Sequence, residues 1–174
     1  MNLPATVVAL SLLCAGGVAS AAKPHQHGAM KLGVAVEATE VTLVVEMPLD
    51  GLVGFERAPR SDAERKAAAA ALATMRDGAA LFRLDAAAQC TLSSATVEAP
   101  VLEQAATSGA TKEHADLDAT YVFKCGQPGR LTTLEVLLFD AFKRVERIDV
   151  QAVLPHGQTK AVLRRTARTV RLAK

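Results

Sequence analysis

The sequence predicts an α+β domain: one antiparallel sheet of about six strands with a single main helix. Three observations predict it. Several runs alternate apolar and polar residues with a period of two. One alanine-rich segment carries a helix-start signal. No internal repeat and no domain boundary interrupts the chain, and its 174 residues are enough for one domain with a real core.

Each element follows from its residues. Leu32, Val34 and Val36 alternate in one run, and Val41, Leu43, Val45 and Met47 in the next. "EATE" separates them, so the two form a hairpin with one face buried. "PLDGLVGFERAPR" breaks the pattern with prolines and glycines and reads as a loop. Its "GLVG" is no phosphate cradle, since no Lys-Ser or Lys-Thr follows. The helix begins at Ser61, with Glu64 three residues on as a capping box; Asp62 and Glu64 suit the helix dipole. Ala67 to Ala71 favour helix, Leu72 and Met75 pack, and Gly78 stops it. "CTLSSATVEA" and "ADLDATYVFKC" are half-buried strands that begin and end with a cysteine. Pairing them antiparallel brings Cys90 near Cys125. "PVLEQAATSGATKE" between them is a small, polar loop. "LTTLEVLLF", "RIDVQAVL" and "KAVLRRTARTVRL" supply further strands, with Ile148, Val150, Ala152 and Leu154 facing the core and "PHGQ" turning the chain.

The amino-terminal "MNLPATVVALSLLCAGGVASAAKP" reads as a secretory signal peptide. Its apolar stretch is too short to span a membrane, and Ala19-Ser20-Ala21 supplies the cleavage site. Residues 1–21 are then the signal and 22–174 a single exported domain with no further membrane segment. Removal of Cys14 leaves Cys90 and Cys125, which pair in an oxidising compartment. Such a bridge contributes roughly 3–4 kcal/mol. Thiolate metal ligation is the competing reading, although neither cysteine has a second one at zinc-site spacing.

Net charge is +2, only 3% of residues are aromatic, and no basic stretch is interleaved with aromatics. Nucleic-acid binding is therefore not indicated. Arg164, Arg165, Arg168 and Arg171 read as a solvated face. Catalysis has no support either: no G-x-S-x-G, H-E-x-x-H or Walker-type loop occurs, and Asp116 with Asp118 reads as a solvated strand face.

Metal binding has a candidate in "KPHQHGAMKLGVAVE". On an extended chain His25 and His27 project to one side about 7 Å apart. Two imidazoles there can converge on one zinc at about 2.0–2.1 Å. A useful site needs further donors, and His114, His156, Glu56, Glu113 and Asp116 are candidates. A solvated tail is the alternative. Pro24 blocks an amino-terminal copper or nickel site, because it has no amide proton.

The ordered pieces "HQHGAMKLGVAVE", "PLDGLVGFERAP", "ALFRLDAAAQCTL", "HADLDATYVFKC", "LTTLEVLLFDAF" and "LPHGQTKAVL" cover nearly the whole chain beyond the signal. In this order they resemble the ZrgA-like family of periplasmic zinc-uptake accessory proteins. The resemblance implies a non-catalytic periplasmic protein that binds Zn2+ and assists uptake, beside components of a zinc ABC importer. It carries across His25, His27 and His114 as metal ligands and Cys90 with Cys125 as a disulfide. Two positions depart from the family's habit. "EAPVLEQAATSGATKE" contains no histidine where relatives often carry a histidine-rich insertion, and Arg57 stands where they often have histidine after "GFE".

Overall fold

A computed structural model describes residues 27–103 and 115–173. The expected signal peptide, His25 and His114 lie outside the described residues.

The chain begins with the expected hairpin, β1 (Ala29–Glu37) and β2 (Glu40–Pro48). The alternation is the cause: Leu32, Val34, Val41, Leu43, Val45 and Met47 are all buried on one face, while Val36 is only half-buried. The predicted loop then contains a short helix, α1 (Leu49–Val53). The main helix, α2 (Asp62–Arg76), starts where its cap signal places it. Ser61 Oγ accepts from the Glu64 amide at 3.2 Å, and Glu64 accepts from the Arg60 amide at 2.5 Å. Ala68, Leu72 and Met75 face the core.

Next come α3 (Gly78–Leu81), β3 (Phe82–Leu84), β4 (Cys90–Glu98), α4 (Pro100–Glu103) and β5 (Asp116–Cys125). Gly78 is required by packing rather than as a helix stop, since a Cβ there would lie 2.4 Å from the Tyr121 ring. That ring is fully buried and its hydroxyl donates to Met75 O at 2.7 Å. β6 (Thr133–Val136), α5 (Leu138–Ala141), β7 (Arg147–Leu154), β8 (Gly157–Leu163) and β9 (Thr169–Arg171) complete the chain.

The strands form a six-stranded sheet in the order β4-β5-β2-β1-β7-β8 and a three-stranded sheet β3-β6-β9. The fold is therefore α+β with one long helix, but two expectations need correction. The large sheet is mixed, because β7 runs parallel to β1, with Ala29 opposite Arg147 and Val34 opposite Ala152. "KAVLRRTARTVRL" is not one strand: it turns at Arg164–Ala167 and its second half joins the smaller sheet. A period-two pattern tells which face of a strand is buried. It does not tell direction or partner.

Antiparallel pairing of β4 and β5 places Cys90 directly opposite Cys125, and the two are bonded, with S–S 2.03 Å, across a sequence separation of 35. Their sulfurs are therefore not metal ligands. No helix among the described residues is long and apolar enough to cross a membrane.

Candidate metal centre

The registers define two ends of the large sheet. β1 and β7 start together, and β2 ends and β5 begins at that same end, where Pro48 pairs with Asp116. His27 immediately precedes β1, α1 follows β2, and the turn at residues 143–146 precedes β7. Sheet topology thus gathers three segments that are distant in sequence.

His27 is held there by its neighbour. Gly28 has φ +73°, and a Cβ on it would lie 3.1 Å from Arg144 O. Gly28 O accepts from the amides of Glu146 and Arg147 at 2.8 and 3.1 Å. The His27 side chain is 78% exposed, and its Nδ1 lies 3.3 Å from Asp50 Oδ2 and 4.0 Å from Glu56 Oε1. Asp50, in the first turn of α1, is only 24% exposed. The Glu146 carboxyl carbon would lie 3.5 Å from a Cβ on Gly28, so a third carboxylate borders the same spot.

Glu56 is presented by a loop pinned to α2. The Arg57 guanidinium donates to both oxygens of Glu64 at 2.7 and 3.0 Å and lies 4.9 Å from the Phe55 ring centre. The Arg57 hydrogen bond, then that from the Arg60 amide, hold the Glu64 carboxyl down at about 2. Arg57 is thus a structural clamp between this loop and α2.

Imidazole and carboxylate oxygen are donors that suit zinc and other borderline ions. A carboxylate near Nδ1 also orients an imidazole and leaves Nε2 for a metal, the usual support of a zinc-bound histidine. Among the described residues, however, no three His, Cys, Asp or Glu side chains are grouped closely enough to hold an ion. His27 is the one expected ligand within them. The chain neighbour of His114 is fixed at the same end: Ala115 O accepts from the Leu49 amide at 2.9 Å, next to Asp50. His156 lies in the β7–β8 turn, at the opposite end.

Sequence reasoning did not pick out Asp50 or Glu146. Asp50 lies in the same "PLDGLVGFE" stretch as Glu56, and an acidic residue just after a strand end was its available signal. Glu146 had none, because only the parallel β1–β7 pairing brings it to His27. Nor did it anticipate that Glu98, Asp118 and Glu46 stand abreast on β4, β5 and β2. Burial first, then the charges of Glu46, Asp116 and Glu98, push the Asp118 carboxyl up. Lys31 answers this row by pairing with Glu46 at 2.6 Å. Asp116 and Asp118 thus lie on the solvent side of the sheet, as their spacing suggested.

A comparison with curated proteins finds no match. The family described as "ZrgA family zinc uptake protein" matches residues 24–172, a span that contains every described element and all four histidines. The chain belongs to the ZrgA family of zinc uptake proteins.

Proposed function

We propose that residues 22–174, after loss of a signal at 1–21, form a periplasmic accessory protein that binds one zinc ion and assists its uptake, beside an ABC importer. It is not an enzyme. His25, His27 and His114 supply the imidazoles, and Asp50 supports them as an orienting group or fourth donor. The observation that carries this reading is the meeting of His27 with Asp50 beside Ala115. One peptide unit, about 3.8 Å between Cα atoms, separates Ala115 from His114, and one residue, Gln26, lies between His27 and His25. All three histidines are thereby tethered within a few residues of one carboxylate. Membership of a family of zinc uptake proteins supports zinc as the cargo.

Titration of the mature protein with zinc against a chromophoric chelator tests it. One tight zinc per chain is expected. His114→Ala, and His25→Ala with His27→Ala, should each weaken it at least tenfold, the scale of losing a ligand or its support. Protons compete with metal for imidazole near the ordinary histidine pKa of about 6.5, so affinity should fall steeply below about pH 6. Unchanged affinity in both variants removes the histidine site.

A second reading, an exported interaction domain without metal function, is favoured by one observation. The solvent face of the large sheet forms an open groove of about 630 Å³ over Gly33, with Val44 and Val162 exposed along it. A parent protein that takes up no zinc would leave this reading in place.

A further inference from the structure

We infer that the outer edge of β8 accepts an added β-strand from a partner polypeptide, an extended segment with a carboxylate opposite Lys160 and an apolar side chain opposite Val162. β8 ends the strand order β4-β5-β2-β1-β7-β8, so among the described residues no strand pairs with its outer side. The hairpin sets which groups face that side. Leu154 and Gly157 stand opposite each other across the two-residue turn Pro155-His156. The pair that closes such a turn is hydrogen-bonded, and bonded pairs then alternate along an antiparallel ladder. Thr159, Ala161 and Leu163 therefore turn their N–H and C=O groups to β7, while Gln158, Lys160, Val162 and Arg164 turn theirs outward. The far end bears this out: Arg164 and Ala167 exchange backbone hydrogen bonds of 3.1 and 2.9 Å on the outer side. The chain itself uses that outward position and leaves those at Gln158, Lys160 and Val162.

The two edges of the large sheet differ. β4 has an irregularity between Leu92 and Ser94, is bonded to β5 through Cys90, and has α2 and α3 packed against it. Bulges and cover of this kind block strand addition. β8 has neither. Its seven residues, Gly157–Leu163, keep unbroken register with β7 and include no proline. Gln158, Lys160 and Val162 are all exposed, and Lys160 and Val162 border the groove on the solvent face.

Charge selects the occupant. From Gly157 to Thr169 the chain carries four cations and no carboxylate. Arg165 donates to the carbonyls of Phe139, Lys143 and Val145, and Arg168 pairs with Glu135 and Asp140. Asp149, on the neighbouring strand, is taken by Arg147 at 2.7 Å. Among the described residues neither Lys160 nor Arg164 pairs with a carboxylate. A second copy is a poor occupant. When the outward positions of two antiparallel β8 strands overlap fully, Gln158 faces Val162, and Lys160 of one copy faces Lys160 of the other. Like charges directly opposite are destabilising. An acidic strand gains where a second copy loses. Main-chain hydrogen bonds hold the added strand, and the side chains facing Lys160 and Val162 choose its sequence. Pairing at this edge requires no zinc.

The competing reading is that Lys160 is only a guard that keeps the edge from pairing at all. Amide NMR of the mature protein with three capped heptapeptides distinguishes the two. The probes are Thr-Val-Thr-Glu-Thr-Val-Thr, the same peptide with Lys for Glu, and the Glu peptide N-methylated at Glu and both Val. The Glu peptide should shift the amide signals of Gln158, Lys160 and Val162 saturably, slow their hydrogen exchange, and leave the signals of β4 unmoved. The Lys peptide should bind about fivefold more weakly, the scale of exchanging an opposite for a like cross-strand charge. N-methylation should abolish binding, because it removes the donors that face β8. Lys160→Glu should reverse the preference between the first two peptides. No shift at the three amides, equal binding of the Glu and Lys peptides, or undiminished binding of the N-methylated one would overturn the acidic strand. A parent that sediments as a dimer with those amides already protected would put a second copy at the edge and overturn it too.

Discussion

The two ends of the large sheet are built on opposite principles. At one end, Cys90 and Cys125 are bonded across β4 and β5, and the Cys125 amide donates to Thr39 O in the β1–β2 turn. Gly126 and Gln127 donate back to Gln89 and Ala88, and Asp85 fastens the smaller sheet by accepting from both the amides and the hydroxyls of Thr132 and Thr133. That end spends its polar groups on itself. At the other end, the exposed His27 imidazole lies beside the carboxylates of Asp50 and Glu56, with Glu146 bordering the same spot. Polar groups satisfied by their own fold stabilise it; groups left to solvent are available to a ligand. The contrast underlies the proposal that the cystine end serves stability and the histidine end function.

The largest effect should come from the cystine. Replacing Cys90 and Cys125 together by serine should cost roughly 3–4 kcal/mol. For a domain of this size that is a fall in Tm of roughly 10 °C by calorimetry. Zinc affinity of the folded variant should stay within twofold. A large loss of affinity at temperatures where the variant is folded would mean that the two ends are not independent.

Asp50→Asn should do the converse. It keeps the shape, removes the charge beside His27, and should weaken zinc about tenfold while Tm changes by no more than a few degrees. An unchanged affinity would leave His27 without its orienting partner, and the assignment of Asp50 would fall.

How much of this contrast the sequence discloses depends on range. The cap at Ser61, the buried alternation of β1, β2 and β7, and the cystine were all legible, because each follows from local pattern or from elimination. The parallel union of β1 with β7 was not, and Glu146 reaches the surroundings of His27 only through it. Gly78 was misassigned for a related reason: its glycine answers the ring of Tyr121, far along the chain, and not the end of α2. The role of Arg57 was not legible either, because it depends on Glu64, one turn into a helix whose approach to the loop no periodicity reveals.

Two smaller effects sharpen the stability half. Ala38, in the β1–β2 turn, has φ +46°, a conformation that costs a residue with a Cβ about 1 kcal/mol. Ala38→Gly should therefore stabilise by up to about 1 kcal/mol in urea unfolding, net of the entropy glycine adds to the unfolded chain. Asp85 gives the pH dependence. Desolvation pushes its carboxyl up, but the hydrogen bonds from Thr132 and Thr133 together outweigh it and hold the group at about 2, below its ordinary 3.8. A depressed carboxylate stabilises the fold above its unfolded pKa and stops doing so as pH falls through the folded one. Asp85→Asn should thus lower Tm at pH 7, and the gap to the parent should close between about pH 4 and pH 2. A gap that stays constant to pH 2 would mean that the carboxylate charge is not what binds the two threonines.

The smallest effect is the one expected at His156, and it isolates position from residue type. His156 is a histidine in a chain with only four, so composition alone makes it as good a ligand as His27. Geometry separates them. β7 runs parallel to β1, so the turn that follows β7 lies at the end of the sheet where β1 finishes, while His27 precedes the start of β1. Seven residues of paired strand, at about 3.3 Å each, put roughly 20 Å between the two ends. No zinc–nitrogen bond of about 2 Å spans that distance. The turn itself explains the residue, since a tight, exposed hairpin before Gly157, with φ +140°, takes any polar side chain. His156→Ala should change zinc affinity less than twofold and Tm hardly at all. A tenfold loss would place the metal at the cystine end, or between two copies of the chain, and would undo the division of labour between the two ends.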